Sequence, residues 1–585
     1  MRHHQLLLAA AALVIAAPGF AGPTQDFQKL QDEYWAALLK NSPTLATSVG
    51  VTTYDRHLGE ISLAAADRQV AEAAVLLRRL NNIAPKSLPT AQQANHAILK
   101  DNLESVIEAS KFGQRQLYYS ILGSYHGGIA GMGEQQAFRS YADYDNYLAR
   151  ITLVPDRMRD YGAISVKAAN EGFVQPCVTM TGFPKTITGV IADDPAKSRF
   201  YAPFAASRPA NVSERQWSEL QGRAKALIGD RINPSYLAFA ATYDRELKDR
   251  CSTEVSVSSQ PNGAAYYAFQ VRQQTTTNLT PDAIHTIGLG EVKRIRAEMG
   301  LVATKAGFAT REAMIADMRT NAKYFAKTPA ELMAAAALMA KTIDGKMPDL
   351  FNKLARLPYG LKEIPPEIAP GSTTAYYQPG SPEAGVAGNY YVNTSKLDQR
   401  PLWELPALTV HEAVPGHHMQ IATQQELDMP AWRKATSYYT AFVEGWGLYS
   451  ERLGIEMGIY DTPQKDMGRL SYEMWRACRL VVDTGLHSKG WSKEQAVAYM
   501  KDNSALTDAN IDAEVNRYIS NPGQALAYKL GELKIRELRA RSEKALGGKF
   551  DLRRFHDAVL GQGAVPLDVL DGQISRWIEA ERKRA

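Results

Sequence analysis

The feature that most constrains this chain is the segment LTVHEAVPGHHMQ, residues 408–420, which holds three histidines and a glutamate within eight positions. The whole chain has only 11 histidines, so this concentration favours a metal site. On a helix, the position one turn after His411 is Pro415, whose side chain cannot bind a metal. Proline also removes a helical N–H and crowds the carbonyl of His411. We therefore predict that the helix breaks at Pro415-Gly416.

The break decides which histidine joins His411. If Pro415 and Gly416 are looped out, His417 returns to the position one turn away from His411. In a straight helix His418 would share the face of His411, but roughly 10 Å along the axis, which is far for two ligands of one ion. We favour His417 as the second ligand, with His418 as the alternative.

A third ligand is predicted in TAFVEGWGLYSERLG, residues 440–454, where Glu444 lies among apolar helix positions. A buried carboxylate needs a partner, because an unpaired buried charge is costly. Gly445 and Gly447 would let another helix, or the metal, come close. His411, His417, Glu444 and a water form the two-histidine, one-glutamate set of catalytic zinc (Zn²⁺) sites. Glu451, two turns after Glu444, is the competitor.

HEAVPGHH followed by VEGWGLYSE resembles a bacterial family of unknown function with an HExxPGHH signature. The glutamate segment is also similar to the third-ligand helix of aminopeptidase N-like zinc enzymes. The likeness covers most of the chain, including residues 276–289, 388–395, 476–491, 517–535 and 555–570. The resemblance implies a gluzincin-like zinc metallopeptidase. The order of the pieces also resembles angiotensin-converting-enzyme-like peptidases, which implies two helical lobes with a deep central cleft.

Several further residues are candidates for catalysis. Glu412 follows the first ligand, where a carboxylate can take a proton from a metal-bound water and pass it to the leaving amine. Tyr518 and Tyr528 are candidates for stabilising an oxyanion, with Tyr528 ahead. His487 could donate to the oxyanion or to a substrate carboxylate, or it could be a helix-terminal histidine bonded to the backbone.

Two other features concern substrate binding. Arg479 and Lys529 are candidates for gripping a peptide carboxylate, although such residues are more often surface charges. GNYYVNT, residues 388–394, reads either as an edge strand that pairs with an extended peptide or as an ordinary hairpin strand.

The sequence has no P-loop, no GxSxG and no GxGxxG after a strand, so phosphate, serine-hydrolase and dinucleotide chemistry lack support.

The first 21 residues read as a signal peptide, with Arg2 at its start, an apolar run from Leu6 to Ala17 and a small-x-small cleavage site ending at Ala21. We expect a periplasmic or secreted protein. No cysteine lies near the site, so a lipid anchor is not indicated, and no stable membrane anchor is expected after cleavage. We divide the remainder into an N-terminal helical lobe, 22–270, and a catalytic zinc-binding lobe, 271–585.

The charge and the cysteines add two expectations. Removing the leader takes only Arg2 from the charged residues, so the formal net charge of +5 becomes +4, which gives little support to a nucleic-acid partner. In an oxidising compartment Cys177 and Cys251 are the plausible disulfide pair, since both lie in loop-like sequence. Cys478 lies in an apolar helical stretch and is expected to be a buried thiol.

Helical periodicity dominates the rest of the chain. Thr280 reads as an N-cap before Pro281, followed by an apolar face that contains Ile284, Ile287, Val292, Ile295 and Met299. Similar runs recur near residues 24–40, 63–80, 91–110, 141–169 and 329–356. The strand candidates are residues 251–257, 375–378 and 388–392, and the Pro/Gly-rich stretch 358–388 is expected to form loops. The sequence therefore predicts a mainly α-helical protein with few short strands.

These observations favour a secreted zinc-dependent peptidase that hydrolyses peptide bonds, with short peptides as its substrates. Two alternatives remain. The first is a metal-dependent hydrolase of a non-peptide amide or ester. The second is a non-catalytic periplasmic metal-binding protein, against which the position of Glu412 argues, because a structural zinc site needs no base.

Overall fold

The computed structural model describes residues 22–120, 125–366, 369, 372–382 and 385–584. The signal peptide predicted at residues 1–21 lies outside this described part. The described chain is mainly α-helical with three short strands, which confirms the predicted fold class. No described helix is both long enough and apolar enough to cross a membrane.

The helices of the first half are α1 (Pro23–Asn41), α2 (Pro43–Ser48), α3 (Leu63–Asn81), α4 (Thr90–Ala109), α5 (Tyr125–Ala130), α6 (Tyr141–Ile151), α7 (Val154–Asn170), α8 (Cys177–Met180), α9 (Phe183–Thr188), α10 (Ala202–Ala205), α11 (Glu214–Leu227), α12 (Asn233–Thr242) and α13 (Gly263–Thr275). Those of the second half are α14 (Pro281–Lys305), α15 (Arg311–Thr320), α16 (Pro329–Asp344), α17 (Met347–Leu350), α18 (Leu405–Glu412), α19 (His417–Glu426), α20 (Ala431–Thr436), α21 (Thr440–Leu453), α22 (Pro463–Ser488), α23 (Lys493–Asn503), α24 (Asp508–Ser520), α25 (Ala527–Leu546), α26 (Leu552–Leu560) and α27 (Leu567–Lys583).

Helix α14 forms as its sequence predicts. The Thr280 side chain accepts a hydrogen bond from the amide of Ala283, and Pro281 occupies the first turn, where its missing N–H costs nothing. Its inward face is buried at Ile284, Val292, Ile295 and Met299. The helical run predicted near 141–169 is divided into two helices, α6 and α7.

The strands form one sheet in the order β1–β3–β2, with β1 at Tyr359–Glu363, β2 at Ala375–Gln378 and β3 at Gly388–Val392. Strand β3 pairs in parallel with β1 and antiparallel with β2. The edge-strand interpretation of 388–392 is therefore wrong, because both sides of β3 already carry backbone hydrogen bonds.

Two other strand predictions need correction. Residues 251–257 form no strand; Ser252 makes only an isolated bridge to Pro176, next to the disulfide. Strand β1 was missed, because it lies in the stretch 358–388 that was expected to form loops. Its partner β3 is distant in sequence, and local composition does not reveal that pairing.

The hydrophobic core that surrounds the histidine segment draws on both ends of the chain. It contains Phe27 and Leu30 of α1 and Ile574 and Ile578 of α27, together with Trp446 of α21. A second core lies between α14 and α22, and a third is built entirely within residues 58–247. The division at residue 270 stays a prediction, and so does the central cleft.

A disulfide joins Cys177 to Cys251, the pair predicted from the sequence. It ties α8 to the segment that follows α12. Cys478 is a free, buried thiol in α22, as its apolar surroundings suggested.

Candidate metal centre

The helix that begins at Leu405 ends at Glu412, and a new helix begins at His417. The intervening turn contains Pro415 and Gly416, where the sequence predicted a break. A side chain at Gly416 would place its Cβ 1.9 Å from the carbonyl oxygen of His411, so only glycine fits there. The break brings the rings of His411 and His417 to a centroid separation of 4.7 Å, nearly perpendicular to each other.

Glu444 on α21 completes a cluster with these two histidines. Its Oε2 atom lies 3.5 Å from Nε2 of His411 and 3.4 Å from Nε2 of His417. Two ligand atoms bound to one tetrahedral zinc ion at ordinary distances lie roughly 3.3 Å apart. The three side chains are buried, and one ligand atom from each lies within 4.8 Å of the other two.

The environment of Glu444 also suits a cation. Within the described residues Oε2 of Glu444 is buried and has no hydrogen-bond partner. A buried carboxylate oxygen without a partner is costly, and a bound cation would satisfy it. The donor set of two imidazoles and one carboxylate fits zinc, with room for a fourth ligand.

His411 lies across α21 with a carboxylate at each end of its ring. Its Nδ1 is 2.8 Å from Oε1 of Glu451, two turns after Glu444 on the same helix. Between them Gly447 lets the ring lie against the backbone, because a Cβ at this position would be 2.8 Å from the ring. Glu451, considered from sequence as a competing ligand, thus lies on the opposite side of His411 from the cluster. Its contact leaves Nε2 of His411 directed at Glu444.

Arg476 of α22 extends this arrangement. Its Nη2 lies 3.2 Å from Oε1 of Glu451, and both side chains are almost fully buried. The guanidinium also lies over the rings of Tyr472 and Trp475. Nothing in the sequence distinguished Arg476 from the other arginines of α22.

The two carboxylates govern the protonation of His411. Burial by itself lowers the pKa of His411, but the carboxylates of Glu444 and Glu451 at either end of the ring outweigh burial and raise it to about 9. Burial raises the pKa of Glu444, yet the adjacent His417 and His411 hold it well below its usual range.

His418 lies outside the cluster. Its Nδ1 is 2.9 Å from the hydroxyl of Tyr377 in β2, and its Nε2 is 3.0 Å from the carbonyl of Leu357. Burial lowers its pKa to about 4, which keeps the ring neutral. Of the two alternatives left by the sequence, the structure brings His417 to His411.

Two tyrosines approach Glu444. Burial raises the pKa of Tyr528, and the charge of Glu444 raises it further. Burial, Glu444 and Glu412 likewise raise the pKa of Tyr438, although 58 % of this residue is exposed. Tyr438 lies in the loop before α21 and was not singled out from the sequence, because no periodicity or motif marks it. Glu412 is the last residue of α18, next to His411. Burial raises the pKa of Tyr438 and of Tyr390, and the charge of Glu412 raises both further.

The other two candidates lie elsewhere. The amide of Val257 donates to Nδ1 of His487, and Nε2 of His487 lies 3.0 Å from the carbonyl of Tyr518. Both ring nitrogens are thus engaged by backbone, which matches the helix-terminal alternative for His487. The hydroxyl of Tyr518 contacts Glu514, Arg479 and the indole of Trp475, so it does not face the cluster.

The fold and this site define a helical protein with a buried His/His/Glu cluster able to hold a metal ion. The chain belongs to DUF885, a family of bacterial proteins of unknown function, whose model matches residues 43–574.

Solved structures that are similar to this chain include two putative lipoproteins. One is described as a putative lipoprotein from Colwellia psychrerythraea; it has 27% sequence identity and a TM-score of 0.88, over 95% of this chain and 100% of that one. The other, described as a putative lipoprotein of unknown function from Shewanella oneidensis, has 19% identity and a TM-score of 0.72, over 94% and 99% of the two chains. No curated protein matches the sequence.

Proposed function

We propose that this protein is a zinc-dependent peptidase. The observation that carries the proposal is the convergence of His411 and His417 on Oε2 of Glu444, a buried carboxylate oxygen that has no hydrogen-bond partner among the described residues. Glu412, adjacent to the first ligand, supplies a carboxylate that a purely structural metal site would not need. A zinc ion held by the three side chains would polarise the scissile carbonyl and acidify the attacking water.

The protein's own groups then handle the proton and the developing charge. Glu412 takes a proton as the water oxygen bonds to the carbonyl carbon. The carbon–nitrogen bond breaks, and Glu412 returns that proton to the leaving amine. Tyr528 and Tyr438, which approach Glu444 from outside the ligand set, are the candidates for donating a hydrogen bond to the oxyanion.

We propose that the protein acts outside the cytoplasm. The Cys177–Cys251 disulfide supports this location, because structural disulfides persist in oxidising compartments. The signal sequence predicted from residues 1–21 agrees with it.

The test compares the wild-type protein with Glu412→Gln on a defined library of short peptides, with cleavage mapped by mass spectrometry. We expect cuts by the wild type, a loss of at least about 100-fold in Glu412→Gln, and zinc bound by both. Glu298→Gln, a change on the surface of α14, is the control and should cleave like the wild type.

Equal cleavage by the wild type and Glu412→Gln would remove Glu412 from the mechanism. Absence of cleavage by zinc-loaded wild type would favour a hydrolase of a non-peptide amide or ester, or a metal-binding protein without catalysis.

A further inference from the structure

A pair of arginines, Arg479 and Arg517, lies beside Tyr528. Oε2 of Glu514 accepts a hydrogen bond from Nη2 of Arg479 at 2.9 Å and from Nη2 of Arg517 at 2.9 Å. Oε1 of Glu514 accepts from Nε of Arg517 at 3.1 Å. We call Arg479, Arg517 and Glu514 the arginine cluster. In the described part of the chain, one carboxylate thus serves two guanidinium groups.

The arginine cluster therefore carries a net positive charge in a largely buried position. The side chains of Arg479 and Glu514 are only 3% and 8% exposed, and that of Arg517 is 21% exposed. Asp483 also faces Arg517, but its oxygens accept from the Tyr267 hydroxyl and the Gly523 amide. A buried charge without a full counter-charge is costly, so this cluster is suited to an incoming anion.

Arg479 also has an unused donor. Its Nε donates to the Tyr518 hydroxyl at 3.0 Å and its Nη2 to Glu514, but its buried Nη1 has no partner among the described residues. The guanidinium is fixed between two rings, 4.4 Å from the centre of Trp475 and 4.2 Å from that of Tyr528. A donor that is held rigidly and left unsatisfied is what a carboxylate-binding group requires.

Tyr528 is influenced by both groups, because the charge of Glu444 raises its pKa and the charges of Arg517 and Arg479 lower it. The ring of Tyr528 covers Arg479, and its hydroxyl accepts from the amide of Gln524 at 3.4 Å. The side-chain oxygen of Gln524 in turn accepts from Nη1 of Arg517. Tyr528, Gln524 and Arg517 are each partly exposed, so this chain of hydrogen bonds reaches solvent.

Lys529 is the other basic residue that the sequence suggested for binding a peptide carboxylate, but three carboxylates already surround its ammonium group. Its ammonium group is fully buried and paired with Glu291, Glu473 and Glu532 at 2.9–3.0 Å. The choice therefore falls on the two arginines.

We propose that the arginine cluster binds the C-terminal carboxylate of a peptide, so that the site releases short fragments from C-terminal ends. This inference rests on the proposed peptidase function. It narrows the substrates to peptides with a free C-terminus and makes the enzyme a carboxypeptidase in the broad sense.

The test uses peptide pairs that differ only in a free or an amidated C-terminus. We expect wild-type kcat/KM to favour the free acid by about 10- to 100-fold, the range for losing a charged hydrogen bond. Cuts should map close to the C-terminus. Equal rates for the two forms, or cuts far from the C-terminus, would overturn the inference and leave the peptidase function standing.

Binding is measured in parallel by calorimetry with the Glu412→Gln variant. Tighter binding of the free acid without any cleavage by the wild type would support the carboxylate site and refute the peptidase. No preference in binding and no cleavage would refute both.

Arg517→Gln should reduce the preference for the free acid at least about tenfold, and Arg517→Lys should keep part of it, because lysine retains the charge but not the two-pronged geometry. Arg536→Gln is the matched control, since Arg536 also lies in an ion network but contacts Glu532 and Glu473. It should keep the full preference. Folded Arg517→Gln and Arg479→Lys variants that both keep the full preference would exclude the cluster.

Discussion

At the scale of single residues, the most informative contact is that between His411 and Glu451. A carboxylate on the far nitrogen of a metal-binding imidazole fixes its tautomer and makes it a better ligand. Glu444, Gly447 and Glu451 are spaced by three and four residues on α21, so they share one face of this helix. From this face Glu444 lies near Nε2 of the His411 ring and Glu451 near Nδ1.

Glu451→Gln should therefore weaken zinc binding by about 10- to 100-fold without unfolding the protein, because the amide holds the imidazole less firmly. Competition with a chromophoric chelator measures the dissociation constant, and circular dichroism checks the fold. Glu456→Gln, just after α21, changes a partly exposed carboxylate and should bind zinc like the wild type. Unchanged affinity in Glu451→Gln would mean that Glu451 does not position His411.

The residue scale also shows what sequence could and could not provide. The break at Pro415-Gly416 and the meeting of His411 with His417 and Glu444 follow from local rules about proline and buried carboxylates. The role of Glu451 was within reach, since its spacing from Glu444 already placed both on one helix face. The sequence could not identify Tyr438 or Arg476 as parts of the site. Tyr438 lies in a loop and Arg476 is one of several arginines in α22, so no local pattern marks either residue.

At the scale of elements, the candidate metal centre depends on how closely α21 and α25 approach. A Cβ on Gly531 would be 1.8 Å from the carbonyl oxygen of Ala441, and one on Gly445 would be 2.5 Å from the backbone of Gly531. Glycine on both helices thus lets the backbones touch beside Glu444. The sequence suggested that Gly445 allows a close approach, but it could not name the partner helix.

Gly531→Ala should separate these helices, lowering the free energy of unfolding by about 1–3 kcal/mol and weakening zinc binding. Urea unfolding measures the first effect and chelator competition the second. Gly300→Ala in α14 is the control, because nothing lies within 4 Å of its Cβ. It should stabilise by about 0.5–1 kcal/mol. Wild-type stability in Gly531→Ala would contradict the close packing described here.

At the scale of the whole molecule, buried histidines set the response to acid. Burial lowers the pKa of four of them, to about 4 for His126, His418 and His487 and to about 3 for His556. Burial has the opposite effect on two carboxyl groups, raising the pKa of Glu404 and Asp483 to about 7.

A histidine whose folded pKa is depressed stabilises the protein above its unfolded pKa, and this stability is lost as the pH falls below about 6.5. Each histidine contributes a slope of about 1.4 kcal/mol per pH unit, and the two carboxyl groups oppose part of it, because their contribution fades as the pH rises towards 7. We expect the free energy of unfolding to fall steadily between about pH 6.5 and pH 4. Urea titrations across this range measure it, and a flat profile would contradict the burial of these rings.

Long-range packing is where the sequence was least informative. The helix periods predicted α1, α3, α4 and α14 well, because each needs only its own amphipathic pattern. The shared core joins helices that lie hundreds of positions apart, and the sheet pairs β1 with β3, 29 positions further along the chain. Local patterns encode neither of these pairings. This is why β1 was missed and why the sequence left β3 open between an edge strand and a hairpin strand.

The shared core has a consequence for how the chain reaches its folded state. Trp432 donates a hydrogen bond to Gln31 of α1, and α27 supplies the last apolar side chains of the same core. Helix α1 therefore has no complete packing surface until α27, more than 500 residues later, has been made. Such distant pairings slow folding. If the chain is exported, as we propose, this dependence would keep it unfolded, and able to pass through a narrow channel, until its C-terminal helix is available.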